Sequence, residues 1–335
     1  MLKTIGAEEL IARGVTSFSR MRPILSLNGD PLAENATLQK DEWERIDDRV
    51  NQVLRERISI ADDLRAAGLV HPVGLGTILR VTERLSEVDV ADLSFDGDSP
   101  PARDRPNYKR DVIPVPVIGK GFTIGWRQLD ASRKRGDPLD VTAAAQAARK
   151  VRDLLENTFI SGFASGPGSN PTNSTDGQSI PGLTTHANRQ TQAKSGSWST
   201  SATDIIGDTL AVLGKAYAKF LFGPFNFYVP KNSWSTLQQD YKTANPTSRT
   251  FLERILGMVD IKAVRPNDFL ATDVAVLLQM TEDAIDLTEA QAITTVQWET
   301  NPFLTHFRVL TVAGPQIKNI EVSDGTTTAG IVHMS

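Results

Sequence analysis

The sequence predicts an α+β chain, and three observations carry that prediction. A run over residues 111–126 alternates apolar and polar side chains as an extended segment does. A long alanine-rich stretch over 138–162 repeats its apolar residues every three or four positions. Several short strand-like and helix-like runs then share residues 203–335.

Residues 1–36 mix Gly, Pro, Ser and charges and read as an arm with little core of its own, with one short helix around Glu8 to Ala12. From Leu38 to Ile58, Trp43, Ile46, Val50, Val53, Leu54 and Ile58 recur at helical spacing, and Asp41 and Glu42 suit the positive end of that helix. A second short helix, Asp62 to Ala67, is stopped by Gly68. Residues 77–95 read as extended, with a partner strand at 111–126, and DGDSPPARDRPNYKRD between them is too polar and proline-rich to fold on itself. The pair makes a two-stranded ribbon with a polar tip. Pro114 and Pro116 remove two donors from one side, so that edge stays unpaired while Val115 and Val117 donate to the hairpin partner. A ribbon of two strands is marginal alone in water, so a neighbouring copy is the economical support for it.

The turn DASRKRGDPLD leads into the long helix, which Asp137 or Asp140 can cap. Val141, Ala144, Ala148, Val151, Leu155 and Phe159 form one buried stripe along it. Residues 163–201 are poor in apolar side chains and read as a long surface loop. A second lobe follows: a helix through Ile206, Leu210, Leu213 and Tyr217, a strand at Phe225 to Val229, helices at Ser233 to Tyr241 and Arg249 to Met258, and strands at Asp260 to Val264 and Val274 to Met280. The last stretch, 291–334, is strand-like, with breaks at Asn301-Pro302 and Gly314-Pro315.

Composition narrows the chemistry. Apolar residues make up 40% of the 335 positions and charged residues 23%, ordinary globular usage. Acidic residues outnumber basic ones 40 to 36, and a net charge of -4 argues against a protein whose main work is gripping polyphosphate. The sequence holds no cysteine, which removes disulfides, thiolate metal sites and cysteine nucleophiles together. MLKTIGAEELIARG lacks the apolar block of a signal peptide, and the run Val274 to Leu278 is too short to span a bilayer, so synthesis in the cytoplasm and no membrane partner are expected.

No motif for catalysis, cofactor or metal emerges. His71, His186, His306 and His333 are scattered, without the spacing of a metal site. No serine sits in a GxSxG elbow. Gly74 and Gly76 begin a GxGxxG pattern that fails at Leu79, and the glycine-rich segment 162–168 follows a helix where a phosphate loop must precede one. The strongest charged feature is Arg127, Arg133, Lys134 and Arg135, which fits a partner's acidic surface, nucleic acid or a solvated turn; no aromatic residues interleave with it as a stacking platform needs.

The order of several segments resembles the encapsulin-like major capsid proteins of tailed bacteriophages. These are LQKDEWERIDDRVNQVLRERI with DLRAAGL, the extended IPVPVIGKGFTIGWRQL, the turn RKRGDPLD, the helix AAAQAARKVRDLLENTFISG and IPGLTTHANR, continuing more weakly through FNFYVPKNSW. The resemblance implies the Hong Kong 97-type capsid fold: an N-terminal arm at 1–36, peripheral-domain helices at 37–79 and an extended loop at 80–126 lying over a neighbour. A peripheral domain at 127–202 with a spine helix at 138–162 and a polar loop at 163–201, an axial domain at 203–290 and return strands at 291–335 complete it. It also implies a non-enzymatic, cofactor-free subunit that forms homo-pentamers and homo-hexamers of an icosahedral shell around double-stranded DNA in a virion. Portal, scaffold and decoration proteins are further candidate partners. On this reading the candidate subunit-contact residues are Pro100, Arg103, Arg105, Lys109, Arg110, Pro114, Pro116, Arg127, Arg133 and Arg135. Two rivals stand beside it: an encapsulin nanocompartment shell packaging a cargo enzyme, and an unrecognised hydrolase.

Overall fold

The structure is a computed structural model that describes residues 60–86, 107–135, 141–163, 179–198, 204–241, 249–301, 304–322 and 326–335, together with 44–46, 48–50, 52, 95 and 96. The chain divides into two compact units. The first takes Met1–Arg57, Ile118–Arg152 and Ile293–Thr311, and the second takes Ile58–Val117, Asp153–Ala292 and Val312–Ser335.

In the first unit, the described residues near position 46 are helical, and Ile46 and Val50 are buried as their spacing predicts. The predicted strand over 111–126 proves to be two strands divided at Val115-Pro116: β3 (Tyr108–Pro114), which belongs to the second unit, and β4 (Val117–Gly125), which from Ile118 onward belongs to the first. Only β3 pairs with β2 (Leu79–Leu85); β4 lies at the edge of a four-stranded sheet of order β1-β9-β10-β4, with β1 at Val70–Pro72, β9 at Ile285–Asn301 and β10 at Leu304–Ile317. Phe122 of β4 stacks on Phe307 of β10 with ring centroids 5.0 Å apart. Pro315 lies inside β10, so the predicted break at Gly314-Pro315 is absent. Proline is compatible with a strand where its missing N–H is not required by the ladder.

The segment read as a polar turn begins with a helix, α2 (Trp126–Arg135), because its Arg, Lys and Gln residues are good helix formers whatever their charge. The long helix, α3 (Thr142–Ser161), belongs to both units by sequence and buries Ala144, Ala148, Val151, Leu155 and Phe159 along the expected stripe. Residues 136–140, with both candidate caps, lie outside the described residues.

The second unit begins with α1 (Ile60–Ala66), which Gly68 ends in the left-handed conformation at φ +75°. Gly68 donates its N–H to the Arg65 carbonyl and Leu69 to that of Leu64, the paired bonds of a Schellman stop. The Glu156 carboxylate of α3 accepts the Ile60 N–H at 3.0 Å and the Asn267 side-chain amide at 2.6 Å, tying α3 to α1 and to β7 (Ile261–Asn267). At the end of α3, Gly162 and Gly182 cross so closely that a Cβ on Gly182 would lie 2.2 Å from the Gly162 nitrogen.

A five-stranded sheet of order β5-β13-β8-β6-β7 forms the main core. Its other strands are β5 (Gln190–Gln192), β6 (Phe225–Pro230), β8 (Ala275–Gln279) and β13 (Ile331–Met334). β6 is buried along its whole length, so its apolar residues do not alternate with exposed polar ones, and the one amide among them, Asn226, is buried too. Against it pack α4 (Ile205–Tyr217) and α6 (Phe251–Leu256), with Trp198, Val212, Phe227, Ile255, Leu277 and Val332 in one cluster. A short helix, α5 (Lys231–Leu237), leaves β6, and Thr250 caps α6 by accepting the Glu253 N–H.

Two expectations change here. Residues 179–198 are not a surface loop: Ile180, Leu183 and Trp198 are fully buried and β5 joins the sheet, while 164–178 lie outside the described residues. On α4, Leu213 is buried but Leu210 and Tyr217 are exposed, and the buried face runs through Ile205, Asp208, Thr209, Val212, Leu213 and Ala216. Asp208 can occupy that face because its carboxylate accepts the Ser195 hydroxyl at 2.6 Å and the Trp198 indole N–H at 2.8 Å.

Candidate assembly surface

The surface of interest is the β2–β3 ribbon, and its two faces follow from its register. Antiparallel pairing sets Leu79 opposite Pro114, Val81 opposite Val112, Glu83 opposite Arg110 and Leu85 opposite Tyr108. The intervening pairs, Arg80 with Ile113, Thr82 with Asp111 and Arg84 with Lys109, point to the other face. Val115 donates to the Ile78 carbonyl at 2.8 Å, as predicted, whereas Val117 lies in β4 and has left the ribbon.

The polar face is anchored to its own unit. Arg80 forms a two-pronged ion pair with Asp286, with Nη2 donating to Oδ2 at 2.8 Å, and Nη1 also donates to the Thr288 hydroxyl. Lys318 brings a second cation to the same carboxylate at 2.9 Å. Gln316 donates to the Thr82 hydroxyl at 2.8 Å, Arg84 donates to the Thr327 hydroxyl at 3.2 Å, and Lys109 pairs with Glu321 at 3.2 Å. Thr327 belongs to β12 (Thr327–Ala329), which pairs with β11 (Asn319–Glu321) beneath the ribbon strands.

Asp111 connects the ribbon to a buried histidine. The Asn319 amide donates to Asp111 at 2.8 Å, the Asn188 amide donates to Asn319 at 2.8 Å, and the Asn188 backbone N–H donates to Nδ1 of His186 at 3.2 Å. Burial holds the His186 pKa below the ordinary histidine value; the Asp111 charge opposes that shift and Arg189 reinforces it. Burial also lowers the pKa of His333, again with Arg189 adding to the effect.

The other face is apolar and looks outward. Leu79 is 40% exposed, Val81 51%, Val112 49% and Tyr108 65%, and the Glu83–Arg110 ion pair at 2.9 Å lies exposed among them. These four residues were not among the contact candidates. The alternation in LRVTERL and YKRDVIP was visible, but period-two patterning gives the sides of a strand without saying which one meets the protein's own body.

The predicted contact residues divide as follows. Pro100, Arg103 and Arg105 lie outside the described residues. Lys109 faces its own unit and Arg110 faces outward. Pro114 closes β3 and Pro116 follows it, so close to Gly314 that a Cβ there would lie 2.8 Å from the proline ring. Arg127 is exposed on α2, and Arg133 and Arg135 fall on the same helix. Among the described residues, no group of three metal-ligating side chains gathers and no helix is long and apolar enough to cross a membrane.

Comparison with known proteins places this geometry. The structure is similar to a virus-like particle protein from Pyrococcus furiosus, with a TM-score of 0.59 at 15% identity over 88% of this chain and 99% of that one. It is similar to the capsid protein of Myoviridae phage XM1, with a TM-score of 0.58 at 12% identity over 83% and 92% of the two chains. These likenesses establish the Hong Kong 97-type capsid fold, as the sequence resemblance implied. In sequence, 119 residues are 31% identical to the type 1 encapsulin shell protein EncA of Myxococcus xanthus, a match spanning 35% of this chain and 39% of that protein. Residues 33–331 match a family of unknown function, DUF6260, and the chain belongs to that family.

Proposed function

We propose that the protein is the major capsid protein of a tailed bacteriophage, a non-catalytic subunit made in the host cytoplasm that assembles as pentamers and hexamers into an icosahedral shell around double-stranded DNA. The observation that carries this reading is a capsid fold extending over 83% of the chain and 92% of a phage capsid protein. A net charge of -4 suits a container that must release its nucleic acid. Shell closure by one chain follows from repeated interfaces of modest strength between identical copies.

A second reading has its own support. The 31% identity to an encapsulin shell protein and the likeness to the Pyrococcus furiosus particle favour a compartment that holds a cargo enzyme. Electron microscopy of the chain expressed alone, with assay of the particle contents, separates the two. Particles protecting DNA from nuclease support the phage capsid, and small uniform particles carrying an enzyme support the compartment. Monomers that turn over ester or phosphate substrates would overturn both in favour of a hydrolase.

A further inference from the structure

We propose that the open face of the sheet in the first unit is a stacking platform for single-stranded nucleic acid, with the Trp298–His306 pair taking a base and Arg308 a phosphate. The proposal goes beyond the shell reading and does not need it, because it concerns what one subunit binds. Burial tells the two sides of the sheet apart. On β10, Thr305, Phe307 and Val309 are buried, and the alternate residues Leu304, His306, Arg308 and Leu310 turn to the other side. There His306 stacks on Trp298 of β9, with ring centroids 5.6 Å apart and an interplanar angle of 19°. Val296, two residues before Trp298, shares its side, and the two are 46% and 44% exposed. Arg308 reaches across to the edge strand β4 and lies over Gly119, where a Cβ would come within 2.6 Å of its Nε. The missing side chain there leaves room for the guanidinium beside the ring pair. Among the described residues of this face in the first unit, none is acidic.

Charge selects the occupant. The chain as a whole is acidic, but residues 118–152 of this unit hold eight lysines and arginines against three aspartates. Four of those bases, Arg127, Arg133, Lys134 and Arg135, fall on α2, which begins where β4 ends. The net charge of -4 therefore conceals a cationic segment, and such asymmetry within one chain points to a polyanionic partner. A duplex keeps its bases in its own stack and offers the rings nothing, whereas a single strand presents phosphates to the cations and bases to the aromatic pair. The basic cluster has no aromatic residues interleaved in sequence, and the fold supplies them from β9 and β10.

The test titrates a fluorescein-labelled oligothymidylate of about 16 nucleotides into free full-length subunits. The expected result is binding that quenches tryptophan emission, weakens as salt rises, and is about tenfold tighter than for a duplex of the same length. Trp298→Ala should weaken binding about tenfold, while Trp298→Phe, which keeps a ring, should retain most of the affinity and lose most of the quenching. Arg308→Gln should reduce the slope of log affinity against log salt by about 0.7. Arg110→Gln removes an exposed cation from the ribbon, outside this unit, and should leave affinity and slope unchanged. Absence of binding, unaltered binding by Trp298→Ala, or equal losses from Arg110→Gln and Arg308→Gln would overturn the proposal. Polyglutamate binding in the oligonucleotide's place with equal affinity would also overturn it, making the face a dock for an acidic polypeptide. Should Trp298→Ala fail to fold, Trp298→Phe and His306→Ala carry the same test.

Discussion

In the five-stranded sheet, β6 and β8 turn Phe225, Phe227, Val276, Leu277 and Leu278 into a closed interior, and little of their apolar surface remains in water. In the β2–β3 ribbon of the same unit, Val81, Val112 and Tyr108 stay about half exposed while arginines, threonine and aspartate, together with the buried Ile113, face the body. The sheet is held by burial, which is non-directional and strong. The ribbon is held by directional charged hydrogen bonds, which fix orientation more than they add stability. The five-stranded sheet uses its apolar side chains on itself, and the ribbon leaves a row of them in water.

The largest effect is expected where the sheet's rule is broken. Phe227 is 0% exposed and meets Trp198 edge-on at 6.1 Å, so Phe227→Ala should cost about 4 kcal/mol and lower the urea midpoint of the whole unit. Arg80→Ala tests the ribbon's rule. Removing it leaves Asp286, 3% exposed, with Lys318 as its remaining cation, and should cost about 3 kcal/mol. Hydrogen exchange would show that loss chiefly in β2 and β3 amides, whereas Phe227→Ala lowers protection across the sheet. Equal loss in both regions would erase the distinction between them.

The hydrogen-bond chain from Asp111 to His186 gives the ribbon a pH dependence. The folded pKa of His186 lies below the unfolded value of about 6.5, so the unfolded chain takes up its proton first as pH falls. Stability is fully present above that value and declines as pH drops below it. Protonation also removes the Nδ1 acceptor from the Asn188 N–H. Between pH 7.5 and 5.5 the unfolding free energy should fall, and His186→Gln should reduce that slope.

The parts legible in sequence were those where burial follows periodicity. The α3 stripe from Ala144 to Phe159 could be read from its spacing, and β6 and β8 from their short, largely apolar runs. Polar residues that enter the core through hydrogen bonds hid the rest. Asp208 and Thr209 occupy the inner face of α4 beside Leu213, and of the apolar residues that marked this helix in the sequence Leu210 and Tyr217 lie outside that face. Trp198, in a run of serines and threonines, is buried because Asp208 accepts its indole N–H and Lys194 lies over its ring at 4.5 Å. α2 was missed because its charges suggested a turn while its backbone propensity favoured a helix. The ribbon's register was partly legible, but its orientation was not, because it depends on Asp286, Gln316, Asn319, Glu321 and Thr327, some 200 residues further along.

The smallest stability effect marks the comparison most sharply. Val112→Asp places a charge on the outward face, where water solvates it and no partner in the subunit is lost, so the unfolding free energy of the isolated subunit should change by less than about 0.5 kcal/mol. The same charge in the middle of an apolar contact between copies would be desolvated without a counter-ion, a cost repeated at every equivalent interface of a shell. Light scattering and sedimentation should therefore show assembly abolished while circular dichroism and the urea midpoint stay unchanged. The reciprocal outcome, a destabilised subunit that still assembles, would mean that the ribbon's apolar face belongs to the chain's own interior and that the two regions follow one rule.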